Sequence, residues 1–191
     1  MSVWILPLLL TSVAHAENAS NRASSIYGQL GLGKSYSTLS NTSAESSYSA
    51  WSGLIEAGSD LSFTSSGESG FTIGAFGRTG DLSNRGNGES FIESGTITGY
   101  GGKAGFYLAA FTLGGGVEKL KVKAKRLTTT SGYGETTLDG NTSFGFANLT
   151  FNIKRKYRST IEVRYSTGKV GDLDYQELGV NLRIGIVEYF K

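Results

Sequence analysis

The chain has 191 residues, of which 28 are Gly, one is His and none is Cys. Its charged fraction of 18% is below the about 25% of an ordinary globular domain, but its 38% of hydrophobic residues excludes a disordered chain. Without Cys there is no disulfide framework, thiolate metal site or cysteine nucleophile, and a net charge of +2 does not favour nucleic acid as a partner.

The N-terminal segment has the features of a secretory signal peptide. The apolar run at 3–10 is too short to cross a bilayer as a helix, and the small-x-small sequence Ala14-His15-Ala16 follows it. We predict a signal peptide at 1–16, cleaved after Ala16, and a β-barrel at 17–191; a buried N-terminal strand is the alternative. Cleavage would also remove the single histidine of the chain.

Beyond residue 16, apolar residues recur at every second position, which predicts strands with two unlike faces. The pattern is clearest near the C-terminus, where five aliphatic residues share one face: Leu178, Val180, Leu182, Ile184 and Ile186. We count about eight strands of about ten residues, the length that a tilted strand needs to cross a hydrocarbon core.

The alternation changes phase in two places. Phe144 and Phe146 are out of phase with Leu149, and Leu120 and Val122 change parity after a triple-glycine segment. One extra residue in a strand re-aims every later side chain, so we predict a β-bulge at each place.

The connections between strands alternate in length. Segments 37–47, 80–91, 125–141 and 168–174 are long and polar, whereas those near Gly67, Ala109 and residues 154–156 are short. This pattern predicts long loops at one end of an up-and-down barrel and tight turns at the other.

The polar face of the strands favours a membrane barrel over a soluble one. It consists mostly of Gly, Ser, Thr and Asn, whereas a water-facing exterior would be dense in Lys and Glu. Each lipid-facing charge would cost about 2–4 kcal/mol at the midplane, so the few charges are expected to form ion pairs in the lumen. The predicted lumen network contains Glu56, Arg78, Glu118, Glu162, Arg164, Glu177 and Arg183.

These features resemble the small eight-stranded outer-membrane barrels of the OmpX, opacity-protein and OmpA transmembrane-domain type. The resemblance covers nearly all of 17–191 and is most specific at 143–152 (SFGFANLTFN), 162–166 (EVRYS) and 178–184 (LGVNLRI). It implies an all-β fold, namely a closed antiparallel up-and-down transmembrane β-barrel in the outer membrane of a Gram-negative bacterium. Members end their last strand on an aromatic residue; here the pattern places the end of strand eight at Ile184 or, alternatively, at Phe190.

Two motifs that suggest ligands are interpreted as parts of the barrel. The sequence GQLGLGKS at 28–35 matches a P-loop, but the polar residues after it show no helical periodicity, so we interpret it as the first strand. Asp172, Asp174 and Glu177 are interpreted as solvated loop acids and not as calcium ligands. We therefore expect no metal and no cofactor.

Two groups of residues are candidates for contact with the membrane. A basic ridge formed by Lys119, Lys121, Lys123, Lys125 and Arg126 is either a solvated strand extension or a contact for lipopolysaccharide phosphates. The second group is an aromatic girdle at a lipid–water interface, formed by Tyr36, Tyr48, Trp51, Tyr100 and Tyr165.

The function predicted from these features is that of a non-enzymatic, monomeric outer-membrane barrel, which has a structural role, a surface-interaction role through its extracellular loops, or both. Barrel enzymes of this kind use a histidine base, which the chain without 1–16 lacks. The expected partners are outer-membrane lipid and lipopolysaccharide, together with a host or phage surface ligand for the loops, and no nucleic acid. Two alternatives are a narrow channel for ions or small solutes and a secreted, soluble lipocalin-like barrel that binds a small apolar ligand.

Overall fold

The computed structural model describes residues 24–42, 45–64, 68–85, 94–127, 133–154 and 156–190. For residues 125–127 and 133 it describes the backbone and not the side chains. The predicted signal peptide and its cleavage site lie outside these residues. In the described part of the chain, no helix has the length and apolar character needed to span a membrane.

Eight antiparallel strands form one closed barrel. The strands are β1 (Ser25–Ser40), β2 (Glu45–Ser62), β3 (Ser69–Asn84), β4 (Ser94–Leu108), β5 (Phe111–Leu127), β6 (Tyr133–Ile153), β7 (Tyr157–Val170) and β8 (Leu173–Tyr189). Each strand pairs with the next one in the chain, and β8 pairs with β1 from Asp174↔Ser40 to Tyr189↔Ser25. The predicted all-β, up-and-down closed barrel is confirmed, and the P-loop-like segment 28–35 lies within β1.

The two ends of the barrel are distinguished by their connections. At one end, here named the turn end, residues 63–68, 109–110 and 154–156 join the strands. Ala109 there has a left-handed φ of 52°, which reverses the chain between β4 and β5. At the other end, named the loop end, the connections are 41–44, 85–93, 128–132 and 171–172.

The strands are longer than predicted, and the loop-end connections are correspondingly shorter. The segments 125–141 and 168–174, predicted as loops, lie largely within strands, with β6 beginning at Tyr133 and β8 at Leu173. Their polar composition suggested loops, but the inward residues Leu138, Val170 and Leu173 are buried inside the barrel. Alternation therefore continues past the point where the outward residues become polar.

Both predicted β-bulges are absent from the described strands. β5 pairs with β6 in one continuous register from Phe111↔Leu149 to Leu127↔Tyr133. The change of phase has another cause: Leu120 and Phe144 are on the inner face, whereas Leu149 is on the outer face. Apolar residues thus move from one face of a regular strand to the other, and the backbone needs no extra residue.

The end of strand eight is also corrected. β8 continues past Ile184 to Tyr189, and the backbone N–H of Phe190 donates to the Ser24 carbonyl at 2.9 Å. The prediction that the strand ends at Ile184 is wrong, and Phe190 is the aromatic residue that follows the strand.

Candidate functional site: the lumen and the outer wall

The outer wall carries a continuous band of exposed apolar side chains. Leu30 and Leu32 on β1 are each 66% exposed, and Leu182 and Ile184 on the neighbouring β8 are 53% and 62% exposed. The outward residues of 26–36 and 51–61 are apolar or glycine apart from Lys34, Ser59 and the polar tips of the aromatic residues, and these stretches match the about 9–11 residues that a tilted strand needs to cross a hydrocarbon core. The apolar faces therefore point away from the barrel axis, which is the opposite of a lipocalin-like barrel.

Aromatic side chains mark the border of the apolar band on the loop-end side. Tyr36, Trp51, Tyr100 and Tyr165 are all exposed on the outer wall. In each case the next outward residue toward the loop end is polar: Thr38, Ser49, Thr98 and Thr167.

The prediction that Tyr48 is the fifth residue of this girdle is wrong. It is 1% exposed and lies inside the barrel. The physical reason is strand parity, because Tyr48 is on the same face of β2 as the buried Ser52 and Glu56, whereas Trp51 is on the opposite face.

A second set of aromatic residues near the turn end was missed. The rings of Phe63, Phe71 and Phe106 are exposed and contact one another, with centroid distances of 5.0 Å, 6.0 Å and 6.3 Å. Their signal in the sequence is an outward aromatic residue close to a predicted tight turn. The band therefore has aromatic residues at both borders, as in proteins that span a bilayer.

The lumen holds equal numbers of buried acidic and basic side chains. Among the described residues the buried carboxylates are five and the buried cations are five: Glu56, Asp60, Glu118, Glu162 and Glu177, with Arg78, Lys103, Arg158, Arg164 and Arg183. All seven residues of the predicted network are in this set. Buried charges are tolerated when they are paired and hydrogen-bonded, and the ten groups form three clusters in which they are.

The middle cluster contains Glu56, Lys103, Glu162 and Arg183. Lys103 Nζ lies 2.7 Å from Glu56 Oε2 and 2.9 Å from Glu162 Oε2, so the ammonium bridges the two carboxylates. Arg183 bridges the same pair, since its Nη2 donates to Glu162 at 2.8 Å and its Nη1 donates to Glu56. Asn181 Nδ2 donates to the remaining oxygen of Glu162 at 2.9 Å. Two acids and two bases thus form a closed ring of contacts.

The upper cluster lies nearer the loop end and contains Arg78, Glu118, Arg164 and Glu177. Arg78 donates to both oxygens of Glu118, at 2.7 Å and 3.1 Å, and to both oxygens of Glu177, at 2.7 Å and 2.9 Å. Arg164 donates to Glu118 and lies 3.7 Å from the centroid of the Phe144 ring. Such bidentate pairs fix the position of both partners.

Gly99 makes room for this cluster. A Cβ atom at Gly99 would lie 2.0 Å from Glu118 Oε1, so the glycine allows the carboxylate to approach the β4 backbone.

The lower cluster, nearest the turn end, is the pair Asp60 and Arg158. Arg158 donates to Asp60 through Nη1, and through Nη2 at 3.5 Å, and its guanidinium carbon lies 4.0 Å from the centroid of the Tyr27 ring. The sequence analysis did not include Lys103, Asp60 or Arg158. Strand parity would have identified them. Asp60 shares a face with Glu56, and Arg158 shares a face with Glu162. Lys103 lies on the face of β4 opposite to the exposed Tyr100.

On the loop-end side of the clusters, the interior becomes apolar. This section, named the cap core, consists of Leu39, Tyr48, Ala50, Leu82, Ile97, Leu120, Val122, Ala124, Leu138, Val170, Leu173 and Tyr175. Its outward neighbours on β5 are Lys119, Lys121 and Lys123, all exposed. The barrel thus inverts along its axis, from apolar outside and charged inside to polar outside and apolar inside.

Comparison with solved structures gives the fold a precedent. Ail, the attachment invasion locus protein of Yersinia pestis, in complex with the heparin analogue sucrose octasulfate, matches with a TM-score of 0.53 and 15% identity, over 87% of this chain and 99% of that one. The chain has the fold of a small outer-membrane β-barrel. Ail without the analogue matches with a TM-score of 0.41 and 16% identity, over 87% and 99% of the two chains.

A third structure and the sequence comparisons add little. The outer-membrane protease OmpT of Escherichia coli matches with a TM-score of 0.36 and 9% identity, over 88% of this chain and 97% of that one. No protein-family model matches the chain, and no curated protein matches it by sequence. The fold assignment therefore rests on the closed ring of eight strands and on its similarity to the first Ail structure.

The basic ridge of this outer-membrane-type barrel lies on the outward face of β5. The Lys121 ammonium is 3.9 Å from Asp139 Oδ1, and both side chains are about half exposed, so this pair adds little to stability. Lys125 and Arg126 lie in β5, but their side chains are outside the described part. Within that part, no group of three or more His, Cys, Asp or Glu side chains is arranged to hold a metal ion.

Proposed function

We propose that the protein is an integral barrel of the bacterial outer membrane, made with a signal peptide that is cleaved after Ala16. The observation that supports this most strongly is the exposed apolar band with aromatic residues at both borders. In water such a continuous apolar surface would drive aggregation, whereas in a bilayer it contacts acyl chains. The polar, basic section at the loop end then extends beyond the membrane on the outer side.

The barrel has a structural role and does not conduct ions. The three charge clusters fill the lumen with paired groups, and their ten members are at most 7% exposed. The cap core adds an apolar section that offers an ion no partner. A narrow channel is the alternative, and single-channel recording in a planar bilayer separates the two, because a closed barrel gives no unitary openings.

The barrel is also non-enzymatic. Removal of 1–16 leaves a chain without His or Cys, so it has no side chain with an unperturbed pKa near neutral pH to act as a general base. Incubation of the purified barrel with peptide and phospholipid substrates should release no product above a heat-denatured sample.

The outer section contacts anionic groups through the basic ridge. Lys119, Lys121 and Lys123 alternate along one outward face of β5 beyond the apolar band, where lipopolysaccharide phosphates or sulfated surface ligands would be located. Ail is similar in fold and was solved with a sulfated heparin analogue, which favours the same ligand chemistry here. Removing the three charges should reduce barrel stability in lipopolysaccharide and leave it unchanged in neutral detergent; an equal loss in both contradicts the proposal.

Location and fold can be tested in one experiment. We expect the protein in the outer-membrane fraction, and we expect it to migrate faster in a gel before heating than after heating. Its measured mass should be that of a mature chain that begins at Glu17. Recovery of the protein in the periplasm without detergent would instead support the soluble-barrel alternative.

A further inference from the structure

Two cations on the outer wall share one aromatic ring at the loop-end border. The Lys34 ammonium lies 5.5 Å from the centroid of the Tyr36 ring and 5.1 Å from that of the Trp51 ring. The Arg85 guanidinium carbon lies 4.7 Å from the centroid of the same Tyr36 ring. Two like charges are therefore held within a few ångströms of one side chain.

These two cations have no carboxylate partner in the described part of the chain. Lys121 lies 3.9 Å from Asp139, but neither Lys34 nor Arg85 forms a salt bridge there. Asp81, which faces the tryptophan across the β2–β3 register, does not form one with either of them. Both positive charges lie against one ring without a carboxylate partner, and an anion bound beside this ring would attract both of them.

Lys34 and Arg85 lie near the loop-end border of the apolar band. Lys34 is outward on β1 between Leu32 and Tyr36, and it faces Val180 across the β1–β8 register. A lysine on the lipid-facing wall is costly unless its ammonium reaches the headgroup layer, which its long apolar stem allows. Arg85 follows the end of β3 on the loop-end side of the border, and its backbone N–H donates to the Ser47 carbonyl at 3.0 Å. The two cations thus lie on either side of the lipid–water border.

A cavity of about 460 Å³ opens on the outer wall beside the Tyr36 ring; Arg85 lines it, whereas Lys34 reaches the same ring from outside the lining. It crosses β7, β8, β1 and β2 and is lined by Tyr36 and Arg85, and by Tyr165, Gln176 and Leu178. The Tyr165 hydroxyl donates to Gln176 Oε1 at 3.3 Å. The volume is within the range of small-ligand sites, and the lining combines a cation, three tyrosines and hydrogen-bonding groups. Glu177 also lines the cavity, but its carboxylate accepts hydrogen bonds from Arg78 and Tyr175 in the lumen.

We propose that Lys34 and Arg85 bind the phosphate-bearing headgroup of a lipid in the outer leaflet. The headgroup occupies this cavity, and its acyl chains lie on the apolar wall of β1 and β8, below Leu178 and beside Leu32. The guanidinium binds phosphate oxygens in a bidentate manner, while the ammonium acts as a point charge on the lipid side. This site is separate from the basic ridge on β5, and it rests on the proposed membrane location.

The test measures lipid binding by native mass spectrometry in neutral detergent. Wild type, the Lys34→Gln/Arg85→Gln variant and the matched control Lys154→Gln/Lys156→Gln are each given lipid A or enzymatically dephosphorylated lipid A at equal mole fraction. The control removes the same number of positive charges from exposed residues at the turn end, away from the basic ridge. Lys34→Arg keeps the charge and should bind as wild type does.

We expect wild type and the control to bind lipid A in preference to the dephosphorylated form. The Lys34→Gln/Arg85→Gln variant should bind lipid A roughly tenfold or more weakly, the usual effect of losing hydrogen bonds from a charged group. Equal binding by this variant overturns the inference, and so does an equal loss in the control, which indicates non-specific attraction. Full displacement by inorganic phosphate or by sucrose octasulfate also overturns it, because the site then takes a soluble anion and not a lipid.

Failure of the proposed location gives a different result. Each variant is checked for faster gel migration before heating and for its presence in the outer-membrane fraction. If wild type is absent from that fraction, the proposed function fails, whereas normal fractionation with unchanged lipid binding overturns only the headgroup site.

Discussion

Neutralising one member of the Asp60–Arg158 pair should destabilise the barrel more than neutralising both. The two residues are 4% and 5% exposed, and the described partners of the carboxylate are Arg158 and the Ser25 hydroxyl, which donates at 3.4 Å. Asp60→Asn leaves the guanidinium buried without an anion. Breaking a buried ion pair in this way costs about 3–5 kcal/mol.

The converse variant, Arg158→Gln, leaves the carboxylate uncompensated and also removes the contact with the Tyr27 ring at 4.0 Å. That contact adds about 2 kcal/mol when it is desolvated, so we expect a larger loss than for Asp60→Asn. In the double variant both charges are absent, and the two amides can form hydrogen bonds with each other. We therefore expect the double variant to be more stable than either single variant.

The measurement is reversible urea unfolding of the barrel in phosphatidylcholine vesicles at pH 7, followed by tryptophan fluorescence and by gel migration before heating. Lys156→Gln is the control, because Lys156 is exposed at the turn end and its neutralisation should change the free energy of unfolding by less than about 0.5 kcal/mol. The reasoning is refuted if the double variant is no more stable than the single variants, since the loss of stability would then not come from an uncompensated buried charge.

Three further variants test the lumen, the border and the cap core. Gly99→Ala places a methyl group 2.0 Å from a carboxylate oxygen of the upper cluster, so it should lower the free energy of unfolding in urea by about 1–3 kcal/mol. Gly28→Ala is the control and should leave this free energy unchanged, because a Cβ atom there meets nothing within 4 Å. Trp51 fluorescence in vesicles should be quenched more by lipids brominated near the headgroup than by lipids brominated near the chain end, and Trp51→Phe should abolish the signal. Leu120→Gln should cost about 3–5 kcal/mol because Leu120 is fully buried in the cap core, whereas Lys121→Gln on the next residue should have little effect.

A specific result would contradict each of these three predictions. Equal stability of the Gly99 and Gly28 variants would mean that the upper cluster moves without cost. Stronger quenching of Trp51 from the chain ends would place this border within the hydrocarbon. Similar losses for the Leu120 and Lys121 variants would mean that the inner and outer faces at this level are equally solvated.

Several features of the barrel can be predicted from the sequence because they depend on local periodicity. A strand places alternate residues on opposite faces, so the group from Leu178 to Ile186 and the polar residues between them identify two surfaces before any pairing is known. The small size and balanced charges of the polar face indicate which surface is enclosed. The membrane-type orientation and the seven charged lumen residues follow from this reasoning.

Other features depend on contacts between residues far apart in the chain. Arg78 pairs with Glu177, 99 residues away, and Arg158 pairs with Asp60, 98 residues away. Charge and parity place such groups in the lumen, but the stagger of eight tilted strands decides which acid meets which base. Lys103 bridges two carboxylates for the same reason, and nothing in its own segment identifies those partners.

The inversion of the barrel along its axis also required the tertiary structure. The alternation shows that two faces differ, and it continues when the apolar residues change face, so the change at Leu120 and Phe144 was interpreted as a bulge in the strand. Local periodicity determined the two faces and the approximate number of strands. Closure of β8 onto β1 decided which face is enclosed at each level, because inside and outside exist only for the complete ring of strands.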